Sequence, residues 1–342
     1  MSFTKVRPIP SVEEILSGDP LTPECARIKA ERDRLTRAIL THADHRILLI
    51  AGPCSAHDEE AMVDYAGRLA KVQETVKDRV VIVSRIYTTK PRTTGTGYKG
   101  MVHQPDPHGV ANMAEGIRAI RRLHLRALRE SHLTAAEEML YPDNHAFLDD
   151  VLGYVAIGAR SVENQQHRMT ASGLEIPVGM KNPRSGALSV AFNAIRAAQV
   201  EHEFSYHGWD VTTSGNPLAH LVMRGGVDLN GKPLPNYYFE HLMNAAEQYD
   251  QYTHINQAII VDVSHDNSGR RFKEQPRIAC EVLASRRHSP VLRKLVRGIM
   301  IESFIEEGSQ NPEENVYGKS ITDPCLGWEE TETLIYKIAE MC

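Results

Sequence analysis

The sequence predicts an α/β protein with a single (β/α)8 barrel, the TIM barrel fold, and an N-terminal helical extension. Eight short apolar runs alternate with longer segments whose apolar residues recur at helical spacing. Each run is apolar at successive positions, which is typical of parallel strands buried on both faces, and eight such strands close a barrel. The predicted strands are, in order, ILLIAG, VVIVSR, LTAAEE, VAIGAR, IPVGMK, HLVMRG, IIVDVS and GIMIES.

The segments between the strands carry the helical patterns. One of them, NHAFLDDVLGY at 144–154, stands directly before the fourth strand. The others are EEAMVDYAGRLAKVQETV, GVANMAEGIRAIRRLHLRALRES, GALSVAFNAIRAAQ, FEHLMNAAEQYDQYT and RIACEVLASRR. A doubly wound open sheet is the competing architecture, but the first strand is followed by AGPCSAHDEE and not by a glycine-rich dinucleotide turn.

Two regions depart from this regular alternation. Residues 1–45 form the extension, a proline-punctuated arm followed by a helical pattern at 23–43, and residues 46–342 form the barrel. The extension is longer than a simple barrel cap, so we expect a subunit contact in a homodimer or homotetramer. Residues 200–236 are the least regular segment and predict long loops or a hairpin at the barrel rim.

The composition excludes several classes of function. The 342 residues are 42% hydrophobic and 24% charged, as in ordinary globular proteins, and the net charge of -5 provides no basic field for nucleic acid or an anionic membrane. No apolar run approaches the roughly 20 residues of a membrane span, and the polar start lacks a signal peptide core, so we expect a cytoplasmic location. The five cysteines contain no CxxC pair, which argues against a disulfide framework or a zinc finger.

The active site of a (β/α)8 barrel is built from residues at the carboxyl ends of the strands. A purely structural barrel end would show small or apolar side chains at most of these positions. The sequence instead places a polar or reactive residue after every predicted strand, namely Cys54, Arg85, Glu138, Arg160, Lys181, Arg224, His265 and Glu302.

Four of the candidate residues carry groups that bind divalent metals. Cys54, His265 and Glu302 follow strands one, seven and eight, which become neighbours when the barrel closes, and Asp323 follows strand eight. A thiolate, an imidazole and two carboxylates suit a first-row ion such as Mn, Fe, Co or Zn. A lone cysteine or histidine is more often a structural residue, but their convergence favours a metal site.

A second group of candidates is strongly basic. Part of it lies in the loop SRIYTTKPRTTGTGYKG at 84–100, and the whole group is Arg85, Lys90, Arg92, Lys99, Arg160, Lys181 and Arg224. Because the arginine fork matches phosphate and carboxylate groups, we expect substrates with two or three anionic groups. Structural ion pairs with Glu137, Glu138 and Glu163 are the alternative interpretation.

Five stretches occur in a specific order: AGPCSAHD, KPRTTGTGYKG, VDVSHDNSG, IESFIEEGSQ and GKSITDPCLGWEET. Together they resemble the signature motifs of the type I, metal-dependent, microbial 3-deoxy-D-arabino-heptulosonate 7-phosphate (DAHP) synthases, from about Leu48 to about Leu334. The resemblance implies condensation of phosphoenolpyruvate with erythrose 4-phosphate and water, with release of phosphate, as the first step of the shikimate pathway.

The resemblance also implies a role for each matching residue. The metal ligands would be Cys54, His265, Glu302 and Asp323, with Mn the favoured ion. Phosphoenolpyruvate would contact Arg85, Lys90, Arg160, Lys181 and Arg224. Erythrose 4-phosphate would contact Lys90, Pro91, Arg92 and Thr93. The catalytic residues would be Lys90, as proton donor to the aldehyde oxygen, together with Glu138 or His265, which would assist the water.

Four loop segments depart from the family pattern: TGTGYKG, AAEEMLYPDN, SYHGWDVTTSGNPL and VDLNGKPLP. They leave the matched metal and phosphoenolpyruvate residues intact. Three alternatives therefore stay open: a synthase that uses another aldose phosphate, such as arabinose 5-phosphate; a class II aldolase; and a catalytically silent paralogue acting as a regulatory partner.

Overall fold

The centre of the computed structural model, which describes residues 2–252 and 255–342, is a closed barrel of eight parallel strands. The strands β1 to β8 are Ile47–Gly52, Val80–Arg85, Ala135–Glu138, Leu152–Ile157, Val178–Lys181, Ala219–Met223, Ile259–Asp262 and Val296–Glu302. Each strand pairs with its neighbours in sequence, and β8 pairs with β1 to close the barrel. The predicted fold and its eight strands are confirmed.

Helices cover the outside of the barrel, and one of them, Pro23–Leu40, closes its N-terminal end. In the described parts of the chain, α1 to α11 are Val12–Gly18, Pro23–Leu40, Glu59–Val76, Met113–Ser131, Pro142–His145, Gln165–Ser172, Leu188–Ala198, Phe239–Gln251, Gln275–His288, Pro290–Leu295 and Trp328–Met341. The predicted helix at 239–253 is confirmed as far as Gln251, while its last residue, Thr253, lies outside the described residues. None of these helices is long and apolar enough to cross a membrane.

The helix predicted at 144–154 is wrong. Helix α5 ends at His145, and β4 already begins at Leu152. Leu152 and Tyr154 pair with Ala135 and Ala136 of β3, so the end of the predicted helix belongs to the barrel sheet. The periodicity of a short apolar segment does not distinguish a helix from a buried strand. Here the pairing with β3 makes the segment a strand.

The barrel interior is largely apolar, and α2 closes its N-terminal end. Its side chains come from alternate strand positions and include Leu48, Ile50, Val81, Val83, Ala136, Ala156, Val222, Ile260 and Met300. Ile39 and Leu40, at the end of α2, are fully buried in the same cluster, and Arg297 Nε donates a hydrogen bond to the Ile39 carbonyl at 2.9 Å. A large part of the predicted extension is therefore a cap on the N-terminal end of the barrel.

The irregular region predicted at 200–236 contains two small hairpins. Glu203–Tyr206 pairs with Trp209–Thr212 in the segment before β6, and Gly226–Val227 pairs with Pro233–Leu234 in the segment after it. Because all barrel strands run in one direction, the first hairpin belongs to the N-terminal end of the barrel. Only the second hairpin lies at the end where the strand-end candidates collect.

Candidate active site

A polar cavity of about 310 Å³ opens at the carboxyl ends of the barrel strands. The candidate residues that line it are Cys54, Arg85, Lys90, Pro91, Arg92, Thr93, Glu138, Arg160, Lys181, Arg224, His265 and Asp323. Glu302 lies beneath this lining, 3% exposed, in contact with Arg85 and His265. Barrel closure thus brings together side chains that are up to about 270 residues apart in the chain, such as Cys54 and Asp323, whose side chains hydrogen-bond.

Three of the four predicted metal ligands form a compact cluster. One potential ligand atom from each of Cys54, Glu302 and Asp323 lies within 4.8 Å of the others. His265 stands beside this cluster, with its Nε2 3.5 Å from Glu302 Oε1. A thiol, two carboxylates and an adjacent imidazole form a donor set that fits a first-row divalent metal.

Lys90 bridges two members of the cluster. Its Nζ donates to Cys54 Sγ at 2.5 Å and to Asp323 Oδ2 at 3.0 Å. Burial alone would lower the pKa of Lys90, but its hydrogen bond to the Cys54 sulfur and the Asp323 carboxylate raise it above its usual range. Burial likewise opposes ionisation of Asp323, and the Lys90 ammonium nevertheless holds the pKa of this carboxyl well below its usual range. Lys90 is therefore a cation fixed beside the candidate metal ligands.

The thiol of Cys54 is protonated near neutral pH in this arrangement. Burial and the nearby Glu302 carboxylate raise the pKa of Cys54 to about 11. The thiol accordingly donates to Asp323 Oδ2 at 3.3 Å. Because thiolate is the form that binds metals, metal binding at this position must release a proton.

The buried cation Arg85 is neutralised by Glu302. Arg85 Nη2 lies 2.8 Å from Glu302 Oε1, and the exposed fraction of the Arg85 side chain is only 1%. Burial opposes the charge, but Glu302 raises the pKa of Arg85 above its usual value. The guanidinium also lies 4.1 Å from the centre of the Tyr87 ring. These contacts fix the carboxylate that forms one side of the metal cluster.

Two aspartates that the sequence reasoning missed orient two other predicted cations. Lys181 Nζ lies 3.1 Å from Asp262 Oδ2, and Arg224 forms an ion pair with Asp266. Asp262 Oδ2 is also 2.9 Å from His265 Nδ1, so one carboxylate contacts a predicted substrate residue and a predicted metal ligand. The ion-pair partners of Lys181 and Arg224 are thus these aspartates, and not the glutamates that the sequence suggested.

Arg184 and Arg270 also line the cavity and were missed. Arg160, Arg184, Arg224 and Arg270 line the same cavity, and burial together with the positive charges of the other three lowers the pKa of Arg160. Arg184 is three residues beyond β5 and Arg270 is eight residues beyond β7, so a search confined to the strand ends did not find them. This wall of the cavity suits a multiply charged anion.

The loop from Thr88 to Gly100, which we call the KPRT loop, folds back on itself at the mouth of the cavity. Lys90 N donates to the Lys99 carbonyl at 3.0 Å, and Arg92 Nε donates to the Tyr98 carbonyl at 2.7 Å. Gly100 has a φ of 99°, and a Cβ at this position would lie 2.3 Å from the Thr88 carbonyl oxygen. These contacts fix both ends of the loop.

Comparison with known proteins finds relatives along nearly the whole chain. The Trp-sensitive phospho-2-dehydro-3-deoxyheptonate aldolase of Enterobacter agglomerans is 40% identical over 330 residues, which cover 94% of this chain and 91% of that protein. The Phe-sensitive enzyme of Escherichia coli strain K12 is 38% identical over 333 residues, with coverages of 95% and 92%.

A solved structure is similar to the whole fold. The phospho-2-dehydro-3-deoxyheptonate aldolase from Francisella tularensis SCHU S4 has a TM-score of 0.91 and 29% identity, and the match covers 99% of this chain and 98% of that one. The family model described as the DAHP synthetase I family matches residues 26–335. The resemblance seen in the motifs is confirmed, and the chain belongs to the DAHP synthetase I family.

Proposed function

We propose that this cavity condenses phosphoenolpyruvate with D-erythrose 4-phosphate and water to give DAHP and inorganic phosphate, the reaction of the family to which the chain belongs. The observation that carries the proposal is the contact of Lys90 with Cys54 and Asp323, which joins the KPRT loop to the metal-binding cluster. Through this contact, a group that holds the acceptor sugar lies beside the groups that hold the metal.

Phosphoenolpyruvate binds, in this proposal, along the wall formed by Arg160, Lys181 and Arg224. Lys181 and Arg224 are 3% and 5% exposed, and their aspartate partners hold them in place before substrate arrives. Arg85 and Lys90 approach the same space from β2 and the KPRT loop. A phosphate group and a carboxylate group on one small molecule match this distribution of cations.

Erythrose 4-phosphate binds at Lys90, Pro91, Arg92 and Thr93. These residues line the same cavity, and Thr93 Oγ1 accepts a hydrogen bond from Arg160 Nε at 3.1 Å. The two phosphorylated substrates repel each other in solution, and the surrounding positive charge offsets that repulsion.

The chemistry then proceeds in three steps. Carbon 3 of phosphoenolpyruvate attacks the aldehyde carbon and forms the new C–C bond, while Lys90 donates a proton to the aldehyde oxygen. Water adds at carbon 2 and loses one proton to Glu138 or His265. C–O cleavage then releases phosphate, which takes the remaining hydroxyl proton as the ketone forms. A divalent metal, when held by Cys54, His265, Glu302 and Asp323, supplies a Lewis acid that stabilises negative charge on the aldehyde oxygen.

Manganese is the proposed metal. The family is metal-dependent, and the cluster provides a Cys, Glu and Asp set with His265 adjacent. Two carboxylates favour a hard ion, whereas the thiolate and the imidazole also accept Fe, Co and Zn.

We also propose a homodimer or homotetramer in which the arm before α2 contacts another subunit. Support comes from Phe3 and Val6 of this arm, which are 90% and 79% exposed although both side chains are apolar. Sedimentation of the full chain and of a variant that lacks residues 1–11 tests this assembly. A cytoplasmic location remains a prediction from the sequence.

The decisive experiment uses purified protein that is treated with chelator and then supplied with Mn²⁺. Phosphate release and loss of phosphoenolpyruvate are followed with erythrose 4-phosphate and, separately, with arabinose 5-phosphate. We expect metal-dependent turnover with erythrose 4-phosphate alone. Turnover only with arabinose 5-phosphate would show that the chain is a synthase for that sugar. Full turnover without metal would contradict the metal proposal.

A further inference from the structure

One buried carboxylate next to the cavity takes no part in the mechanism above. Glu137 is the third residue of β3 and is only 5% exposed. The preceding residue, Ala136, faces the barrel interior, so Glu137 faces the surrounding helix layer. Burying a carboxylate there costs free energy unless hydrogen bonds within the protein replace those it makes with water. The groups that bond to Glu137 therefore indicate its role.

Glu137 contacts two backbone amides next to the cavity and two buried side chains. The amide of Thr88 donates to both carboxylate oxygens at 2.9 Å, and the Thr88 hydroxyl donates to Oε2. The amide of Glu138 donates to Oε1 at 2.9 Å. The imidazole Nε2 of His124, a fully buried residue of α4, lies 3.5 Å from Oε2. The carboxylate thus joins the end of β3 to the first residue of the KPRT loop.

Thr88 begins the KPRT loop and also bonds to the chain just after the end of the loop. Its carbonyl accepts a hydrogen bond from the Val102 amide at 3.2 Å, just beyond the close approach of Gly100. Two residues after Thr88, Lys90 reaches Cys54 and Asp323. A shift of Thr88 would therefore be transmitted to the ammonium group at the metal ligands.

The same contacts reach a second candidate catalytic residue. Glu138, whose amide is bound by Glu137, lines the cavity. Its carbonyl accepts a hydrogen bond from Thr89 Oγ1 at 3.0 Å. The β3 end and the loop start are thus linked twice, and Glu137 provides the buried link.

We propose that Glu137 is a positioning residue that sets the KPRT loop against β3 and so places Lys90 and Arg92 for the aldose phosphate. The inference rests on the proposed function for the identity of that substrate. Lys181 and Arg224, two of the residues proposed for phosphoenolpyruvate, have no contact with Glu137 or with the KPRT loop among those that the structure describes, and they pair with Asp262 and Asp266. The effect of Glu137 should consequently fall on the acceptor sugar more than on phosphoenolpyruvate.

The test is Glu137→Gln, which keeps the shape but places an NH2 group where an oxygen accepts from Thr88. We expect the KM for erythrose 4-phosphate to rise and kcat to fall, each by about 10- to 100-fold, as expected for small displacements of catalytic groups. The KM for phosphoenolpyruvate should rise less than that for erythrose 4-phosphate, because Lys181 and Arg224 hold phosphoenolpyruvate from outside the loop. Hydrogen exchange of the Thr88 and Val102 amides, measured without substrates, should become faster.

Two further variants separate positioning from general stability. Asp150→Asn removes a carboxylate from the buried Arg121, whose described partners Asp19, Phe147 and Asp150 lie outside the KPRT loop, and should lower the melting temperature without changing either KM. Thr88→Val removes only the hydroxyl donor, and its effect on kcat should not add to that of Glu137→Gln, because both act through one contact.

Unchanged amide exchange in the Glu137→Gln protein, or an equal rise in both KM values, would refute the positioning role. The exchange measurement needs no turnover. A wild-type protein that is inactive with erythrose 4-phosphate would therefore refute the proposed function, whereas slow exchange at Thr88 that depends on Glu137 would still support the positioning role.

Discussion

At the scale of single residues, the partners of a side chain decide its role more than its type does. Cys54 could be a small core residue by its burial, yet its sulfur lies among Lys90, Glu302 and Asp323. Cys25 is equally buried but lies in α2, which caps the barrel. The two cysteines therefore form a matched pair for testing metal binding.

Cys54→Ser should weaken metal binding, because a hydroxyl is a poorer ligand than a thiolate. We expect a loss of Mn²⁺ affinity at least as large as the roughly 10- to 100-fold that changes around metal ligands cause. Titration calorimetry measures the affinity directly, and activity at limiting metal should fall in parallel. Cys25→Ser should bind Mn²⁺ as the wild type does, and equal affinity in both variants would remove Cys54 from the ligand set.

Arg184→Gln and Arg270→Gln should weaken phosphoenolpyruvate binding by removing positive charge from the cavity wall. We expect the KM for phosphoenolpyruvate to rise about 10- to 150-fold with a smaller change in kcat, since a charged hydrogen bond contributes on the order of 1.5–3 kcal/mol. The salt dependence of kcat/KM should also become shallower. Arg34→Gln, an exposed charge on α2, is the control; identical kinetics in all three variants would contradict this role.

At the scale of elements, the barrel strands have two roles. Their carboxyl ends carry the reactive side chains, while their inward positions form a core that α2 seals. His220 of β6 is a polar residue within this core: it donates from Nδ1 to the Leu218 carbonyl at 2.8 Å, and its Nε2 accepts from the Tyr154 hydroxyl at 2.8 Å. The neutral imidazole satisfies both nitrogens in this arrangement.

Buried His220 should make the barrel less stable in mild acid. Desolvation lowers the pKa of His220 from 6.5 to about 4, so between these values the unfolded chain binds a proton that the folded chain does not. Its contribution to stability is complete above pH 6.5 and is lost as the pH falls toward 4, by about 3 kcal/mol. Urea unfolding of wild type and His220→Gln at pH 7 and pH 4.5 measures this; an equally steep loss in the variant would contradict it.

At the scale of the whole molecule, the candidate metal cluster lies between the first and the last strand of the barrel. Cys54 follows β1, while Glu302 ends β8 and Asp323 follows it, so an ion bound by all three would link the first strand to the last. Binding to the folded state alone stabilises it by mass action.

Mn²⁺ should therefore raise the melting temperature, and chelator should reverse the rise. At 100 times the dissociation constant the gain in the free energy of unfolding is about 2.7 kcal/mol, which corresponds to a shift of a few degrees for a chain of this size. Differential scanning calorimetry with Mn²⁺ and with chelator checks this. Cys54→Ser should show a smaller shift at the same metal concentration, and equal melting temperatures with and without Mn²⁺ in the wild type would contradict the site.

The sequence by itself determined the eight strands, their order and the chemical character of their carboxyl ends. Strand runs and the residues that follow them are local features, and all eight strand-end candidates line the cavity or, for Glu302, lie directly beneath it. The motif resemblance also identified the family, because five ordered stretches carry more information than any one of them.

Only the tertiary structure decided which groups touch. The start of β4 at Leu152 depends on pairing with β3, and the partners of Lys181 and Arg224 are aspartates about 80 and 40 residues away in the chain. Glu137 and Thr88 are likewise 49 residues apart. Such contacts follow from barrel closure, which fixes distances between strands that no local pattern encodes, and they decide which charges are neutralised in the fold and which remain for substrates.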